Sequence, residues 1–239
     1  MTTVPHKAEY VHHQNPNLGA KLREAVFGIE DGMVSTLGSI TGIAAATERH
    51  FIIILSGLVI VAVESISMAV GSYLSSKSER AVNERKLREE RTELKQYPEE
   101  EKRELVEMYT HDGWPSDLAS SMAEWASTDK ELMLKEMAYR ELKIIPENLE
   151  RPFNNGTIMG VSYVVGGAIP LFPYFFFSFE TAIVASVGVT LAGLFFVGAM
   201  TTKFSYRTWW KAGLEMLLLA GIAAGVGYGV GQIADRWLQ

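Results

Sequence analysis

Two pairs of glutamates with helical spacing are the part of this sequence best suited to chemistry. Glu90 and Glu93 are three residues apart, and so are Glu101 and Glu104. Residues three apart lie on one face of a helix, so each pair can direct two carboxylates to one point. Clustered carboxylate oxygens suit divalent cations, as in the carboxylate sites of helix bundles. The alternative is a solvated acidic face, because Glu is a strong helix former.

A methionine and a glutamate further along the chain form another pair with helical spacing. Met137 and Glu141 are four residues apart and share a helix face. A thioether beside a carboxylate favours iron, manganese or another transition metal over magnesium. Taken alone, Met137 is more often a side chain that fills a gap in a core. The chain has no cysteine, which excludes thiolate ligands, disulfides and cysteine nucleophiles.

Acidic and thioether side chains also occur inside long apolar segments. Asp31 lies near the start of the first segment with Glu30 beside it, and Glu64 and Met68 are four apart in the second. A carboxylate within a membrane-spanning helix costs roughly 2.5–3.5 kcal/mol or more, so it is expected to line an ion path or a proton relay. The alternative for Asp31 is that it reaches the cytosolic interface or hydrogen-bonds a neighbouring helix.

The apolar residues are concentrated in five segments, each about as long as a bilayer requires. They lie at 25–46, 51–75, 156–177, 181–202 and 212–233. We therefore expect an all-α polytopic membrane protein with five transmembrane helices. Lys and Arg are concentrated at the N-terminus and between Lys77 and Arg151, which places both regions in the cytosol. The net charge of −6 argues against a nucleic-acid partner.

The cytosolic region is predicted to be a helical insertion between transmembrane helices 2 and 3. Residues 76–96 are charged and lack Gly and Pro, so they continue the second span as one helix. Pro98 suits the first turn of a new helix, and a shorter helix follows Pro115. Thr128 and Glu131 have capping-box spacing and predict the start of a last helix, which runs to about residue 143.

This interpretation divides the chain into four parts. They are a cytosolic tail at 1–22, transmembrane helices 1 and 2 at 23–75, a cytosolic metal-binding domain at 76–152 and transmembrane helices 3–5 at 153–239. In the last helix, Gly221, Gly225 and Gly229 have close-packing spacing, which fits packing within one subunit as well as dimerisation.

Four blocks of the sequence resemble the vacuolar iron transporter family, which includes yeast and plant vacuolar proteins and prokaryotic ones. They lie at 23–36, 67–73, 166–173 and 212–217, and the Asp-Gly-Met-Val-Ser run that begins at Asp31 is the most specific. Their order matches the family from Leu22 to the C-terminus. The resemblance implies a homodimer of five-helix subunits with a conduit between them. It also implies export of ferrous iron, sometimes manganese, from the cytosol in exchange for protons.

The resemblance also assigns metal-binding positions. Those in the conduit are Asp31 and Met68, and those in the cytosol are Glu90, Glu93, Glu101, Glu104, Met137 and Glu141. This chain departs from the family at Glu30, where Asn is usual, at Ser72, where Glu is usual, and at Glu64, where a small residue is usual. Because Glu64 and Ser72 are eight apart and lie near one helix face, we hypothesise that Glu64 replaces the missing carboxylate.

These observations predict a transporter that moves Fe(II) out of the cytosol by proton antiport, with the lipid bilayer, divalent metal ions and protons as its partners. Mn(II) is a possible second substrate, and no prosthetic group is expected. An enzyme is not expected, because the five histidines form no catalytic constellation. Two alternatives are a manganese exporter of the same fold and a membrane-anchored metal buffer or sensor. The short N-terminus favours a prokaryotic plasma membrane over a vacuolar one.

Overall fold

The computed structural model describes residues 18–205 and 208–238, in which every regular element is helical. Two short 3₁₀ segments lie at Pro146–Asn148 and Phe172–Phe175. The α-helices, in chain order, are α1 (Leu18–Ala46), α2 (His50–Gln96), α3 (Pro98–His111), α4 (Ser116–Ser127), α5 (Lys130–Arg140), α6 (Pro152–Leu171), α7 (Phe179–Ser205) and α8 (Trp209–Leu238). The expected all-α class is confirmed for these residues.

Four helical stretches in the described residues are long and apolar enough to cross a membrane. They are His50–Gln96, Pro146–Phe175, Phe179–Thr202 and Trp209–Ile233. α1, which contains the first predicted span, is not among them. Glu30, Asp31 and several Ser, Thr and Gly residues make α1 less apolar than the other four.

The chain divides into two compact units. The first contains the residues up to Tyr73 and those from Phe153 onward, and the second contains Leu74–Pro152. α2 is one helix of 47 residues that contributes to both units, as the charged stretch after the second span predicted. Each unit has its own core, described separately below.

In the first unit, α1 packs closely against α6 and α8 through glycines. A Cβ atom at Gly32 would lie 2.4 Å from the Tyr163 carbonyl oxygen on α6. A Cβ atom at Gly227 of α8 would lie 2.1 Å from the Gly38 carbonyl oxygen, and one at Gly231 would lie 2.1 Å from that of Gly42. Only glycine permits such backbone contact. The predicted stripe at Gly221, Gly225 and Gly229 is not used here, since a Cβ at any of them would meet nothing within 4 Å.

In the second unit, α3, α4 and α5 enclose a small apolar core. Leu105 and Tyr109 from α3 pack against Met133 and Met137 from α5, together with three alanines of α4. α5 begins differently from the prediction. Its N-cap is Asp129, whose side chain accepts hydrogen bonds from the N–H groups of Glu131 and Leu132. Thr128 belongs instead to the C-terminal end of α4 and donates to the Trp125 carbonyl.

Candidate metal site

Three carboxylates from different parts of the second unit converge. Glu90 lies in α2, Glu101 in the first turn of α3, and Glu141 directly after α5. Each offers one oxygen, and these oxygens all lie within 4.8 Å of one another. Glu90 and Glu101 are buried, whereas Glu141 is exposed. We call these three residues the acidic cluster.

Local chain geometry explains why these residues meet. Tyr97 leaves the helical conformation at φ −132° and ψ 50°, so the chain turns between α2 and α3. Pro98 then starts α3, and the Glu101 N–H donates to the Tyr97 carbonyl at 3.0 Å. Leu105 and Tyr109 follow Glu101 at intervals of four residues and share its buried face. The face that carries Glu101 is therefore fixed by the packing of the core beneath it.

The acidic cluster is electrostatically unfavourable when it holds no cation. Burial, followed by the charges of Glu141 and Glu101, raises the pKa of Glu90 to about 8. Burial and the neighbouring carboxylates also raise the pKa of Glu101. Within the described part of the chain, Glu90 Oε1 and Glu101 Oε2 have no hydrogen-bond partner. A buried polar group without a partner costs about 1–3 kcal/mol, and more when it is charged.

In the described part of the chain, no basic side chain offsets the repulsion within the acidic cluster. Among the described residues, none of the three glutamates forms an ion pair with Lys, Arg or His. Many other acids of the second unit do form such pairs, for example Glu84 with Arg80 at 2.7 Å and Glu131 with Arg91 at 3.1 Å. The acidic cluster is thus distinct from a solvated acidic face, and a divalent cation would satisfy its free oxygens.

The other predicted ligands of this region lie around the acidic cluster or in the core. Glu93 and Glu104 are exposed, and the charge of Glu93 helps to raise the pKa of Glu90 and of Glu101. Burial, then the charge of Glu141, raises the pKa of Glu104. Met137 is fully buried in the apolar core, one turn before Glu141. Its packing accounts for its position, and its role as a ligand stays a prediction.

The predicted ligands of the first unit lie on α1 and α2. Asp31 is half-buried, and its backbone carbonyl accepts a hydrogen bond from Ser35 Oγ at 2.6 Å. Ser35 Oγ also shares a 2.6 Å hydrogen bond with the hydroxyl of Tyr163. Glu64 is exposed on α2, but it is close enough to Asp31 for the two carboxylates to interact electrostatically. Met68 is half-buried one turn further along α2.

Asp31 has no basic partner among residues 18–205 and 208–238. In the portion of the chain that the structure describes, it forms no ion pair with Lys or Arg. Its carboxylate and that of Glu64 both lie within the apolar segments and interact electrostatically. Such groups are costly in a membrane and usually face an interior path.

Sequence reasoning missed one further carboxylate in the first unit. Glu24 of α1 is buried, forms an ion pair with Arg23 at 3.2 Å and accepts a hydrogen bond from Ser72 Oγ at 2.6 Å. The position at which the family usually has Glu is thus occupied by Ser72, with a carboxylate from α1 directly beside it. Replacement of the missing carboxylate by Glu64 stays a hypothesis, and Glu24 is a second candidate. The contact joins residues 48 positions apart. Helical spacing relates only residues three or four positions apart, so it could not predict this contact.

Comparison with known proteins agrees with the sequence blocks described above. The family model for the VIT family matches residues 22–232. Vacuolar iron transporter 1 of Oryza sativa subsp. japonica is 27% identical over 93% of this chain and 90% of its own length. The vacuolar iron transporter of Centaurea cyanus is 30% identical over 89% and 87%, and that of Plasmodium falciparum is 27% identical over 93% and 85%. This chain therefore belongs to the VIT family and is a transporter rather than an enzyme.

Proposed function

We propose that this protein carries Fe(II) out of the cytosol in exchange for protons. The observation that carries the proposal is the acidic cluster, in which three carboxylate oxygens lie within 4.8 Å of one another and form no ion pair with a basic residue in the described part of the chain. Oxygen ligands of this kind bind divalent transition metals. The relatives named above are iron transporters, which supports iron as the cargo.

Protons and metal ions compete for the same carboxylates in this scheme. The pKa of Glu90 is about 8, so this side chain holds a proton near neutral pH when no metal is bound. A divalent ion that binds Glu90 must displace that proton, because a ligating carboxylate is deprotonated. The same competition at Asp31 and Glu64 would couple outward metal movement to inward proton movement without a separate mechanism.

The proposed arrangement has five transmembrane helices, with α1 as the first. α1 is the least apolar of them, but it is in contact with α6 and α8 through glycine backbones. This position suits a helix whose acids line a path rather than face lipid. The second unit is proposed to lie in the cytosol, where it would collect ions. The proposal is the same for a prokaryotic plasma membrane and a vacuolar membrane, because each has the cytosol on one of its two sides.

We further propose a homodimer. Glu64 is exposed on a single subunit, although a carboxylate facing lipid is strongly disfavoured. A second copy that covers α2 would remove Glu64 from lipid and place it in a path between subunits. A Cβ atom added at Gly221, Gly225 or Gly229 would meet no atom of another described element within 4 Å, so their close-packing pattern is available to a partner.

Transport into liposomes tests the proposal. Purified protein in vesicles with a pH gradient should take up Fe(II), and Asp31→Ala should reduce the initial rate by at least about tenfold. The matched control is Glu180→Gln, which removes a single exposed carboxylate at the start of α7 and should leave the rate unchanged. Equal rates for the wild type and Asp31→Ala would refute the role of Asp31. Metal binding without any flux would instead support the buffer or sensor alternative.

A specific observation keeps manganese as a second candidate cargo. The three groups that converge are all carboxylates, while Met137 packs within the apolar core. Manganese prefers oxygen ligands, so the acidic cluster alone suits Mn(II) as well as Fe(II). Competition decides between the two: if iron is the cargo, a tenfold excess of Mn(II) should inhibit Fe(II) uptake only weakly. Inhibition at equal concentration would show that Mn(II) binds the same path, and uptake of Mn(II) into the same vesicles would assign it as a substrate.

A further inference from the structure

Arg140 is the last residue of α5 and directly precedes Glu141 of the acidic cluster. Its Nε donates to Glu136 Oε2 at 3.4 Å, and its Nη1 donates to the Asp112 carboxylate. The centre of its guanidinium group lies 4.3 Å from the centroid of the Tyr109 ring. A planar guanidinium group presents five N–H donors in a rigid fork and can stack on an aromatic ring at the same time.

Tyr109 completes this network. Its side chain is buried, and its hydroxyl donates to Glu136 Oε2 at 3.0 Å. Burial and the nearby Glu136 raise its pKa to about 12, so the hydroxyl remains a donor at all physiological pH values. Tyr109 lies in the last turns of α3, and Asp112 follows that helix. The network therefore joins the end of α5 to α3, the helix that carries Glu101.

The backbone after Arg140 is also fixed. The N–H of Glu141 donates to the Met137 carbonyl at 2.8 Å, and that of Ile144 donates to the Ala138 carbonyl at 2.8 Å. Between them, Lys143 adopts a left-handed conformation at φ 55°. The position of Glu141 thus follows the last turn of α5, and the orientation of that turn depends on its contacts with α3.

We infer that Arg140 is a positioning residue for the acidic cluster: through Tyr109, Glu136 and Asp112 it holds Glu141 opposite Glu101. This inference rests on the proposed metal-binding function of the same cluster. Arg140 itself forms no ion pair with Glu90, Glu101 or Glu141 in the residues described. It acts on the ligand set only through the helix end to which Glu141 is attached.

Whether Arg140→Ala weakens or strengthens metal binding distinguishes a positioning role of Arg140 from a purely electrostatic one. Arg140 is a cation next to a site for a divalent cation, so its charge alone opposes metal binding. If charge were its only influence, Arg140→Ala would strengthen binding. If Arg140 positions Glu141, the same change weakens binding, because the third carboxylate is no longer held in place. Outer contacts of this kind typically change metal affinity by about 10–100-fold.

Mn(II) binding to the full-length protein in detergent provides the test, with free Mn(II) measured by its paramagnetic resonance signal. We expect Arg140→Ala to weaken binding about tenfold. Arg140→Lys should lie between the wild type and Arg140→Ala, since an ammonium group can still pair with Asp112 or Glu136 but lacks the planar fork of arginine. The control is Arg103→Ala, which removes an exposed cation of α3 that pairs with Glu100 at 3.1 Å and should change affinity by less than about twofold.

A double-variant comparison isolates the route of the effect. In a Glu141→Gln background, Arg140→Ala should cause no further loss of Mn(II) affinity. The same background also accounts for Mn(II) that binds elsewhere on the protein. Unchanged or tighter binding by Arg140→Ala, or an equal loss in the Glu141→Gln background, would overturn the inference while leaving the metal site intact. Absence of Mn(II) binding by the wild type would overturn the metal site and the inference together.

A milder variant keeps the inference testable if Arg140→Ala does not fold. Tyr109→Phe retains the buried ring and removes only the hydroxyl that donates to Glu136. We expect a loss of about threefold in Mn(II) affinity, which again disappears in the Glu141→Gln background. Unchanged affinity in a folded Tyr109→Phe protein would count against the network.

Discussion

Replacement of Glu90 by Gln should stabilise the second unit while it weakens metal binding. The ordinary pKa of a glutamate is 4.5, and that of Glu90 in the folded protein is about 8. At pH 7 the folded protein must therefore keep Glu90 protonated, whereas the unfolded chain releases that proton. Each pH unit between 4.5 and 7 costs roughly 1.4 kcal/mol of folding free energy. The total at pH 7 is about 3 kcal/mol.

Glutamine removes this cost because it is neutral at every pH and its amide can donate to the neighbouring carboxylates. The expected gain in unfolding free energy depends on pH in a defined direction. Below pH 4.5, Glu90 is protonated in both states, and the variant should match the wild type. The gain should grow as pH rises through 7 and level off above about 8, where Glu90 is charged in the folded state as well.

Hydrogen exchange of the α3 amides in the full-length protein, without added metal, measures this local stability. The matched control is Glu89→Gln, which removes the adjacent exposed carboxylate paired with Arg85 at 3.1 Å and should shift stability by less than about 1 kcal/mol. Faster exchange in Glu90→Gln at pH 7, or a gain that does not vary with pH, would show that the cluster carries no buried electrostatic strain.

Two further predictions concern the elements that support the sites. Gly32→Ala should lower the thermal unfolding midpoint, with a loss of about 1–3 kcal/mol, because its Cβ would lie 2.4 Å from the Tyr163 carbonyl oxygen. Gly188→Ala on α7 has open space and serves as the control, and equal midpoints would contradict the close contact of α1 with α6. Asp129→Ala should destabilise α5 by about 1 kcal/mol through loss of its N-cap, as measured by exchange of the α5 amides. Thr128→Ala should cost less, and a larger cost there would support the capping box instead.

The helices of the second unit followed from strong local signals. The run without Gly or Pro after the second span extended α2, and Pro98 ended it and started α3. Because of that break, carboxylates from two helices could meet, and Glu90 and Glu101 do. Spacing alone could not say which member of each pair faces inward. That choice depends on how Leu105 and Tyr109 pack in the core, which is a tertiary property.

Other features escaped sequence reasoning for similar reasons. The contact of Ser72 with Glu24 depends on how α1 and α2 pack, and neither residue type signals it. The spacing argument selected Gly221, Gly225 and Gly229 in the last helix, whereas the packing of α8 on α1 uses Gly227 and Gly231, which have the same four-residue spacing. At the start of α5, the capping-box spacing selected Thr128, but Thr128 belongs to the end of α4 and Asp129 caps the helix.

The glycine contacts of α1 restrict how Asp31 can move. Where backbone meets backbone at Gly32, Gly38 and Gly42, no flexible side chain lies between the helices to absorb sliding or rotation. A displacement of α1 by even part of a helical turn would force atoms of α6 or α8 into overlap. Any conformational cycle that exposes Asp31 first to one side of a membrane and then to the other must therefore carry these three helices together as one rigid body.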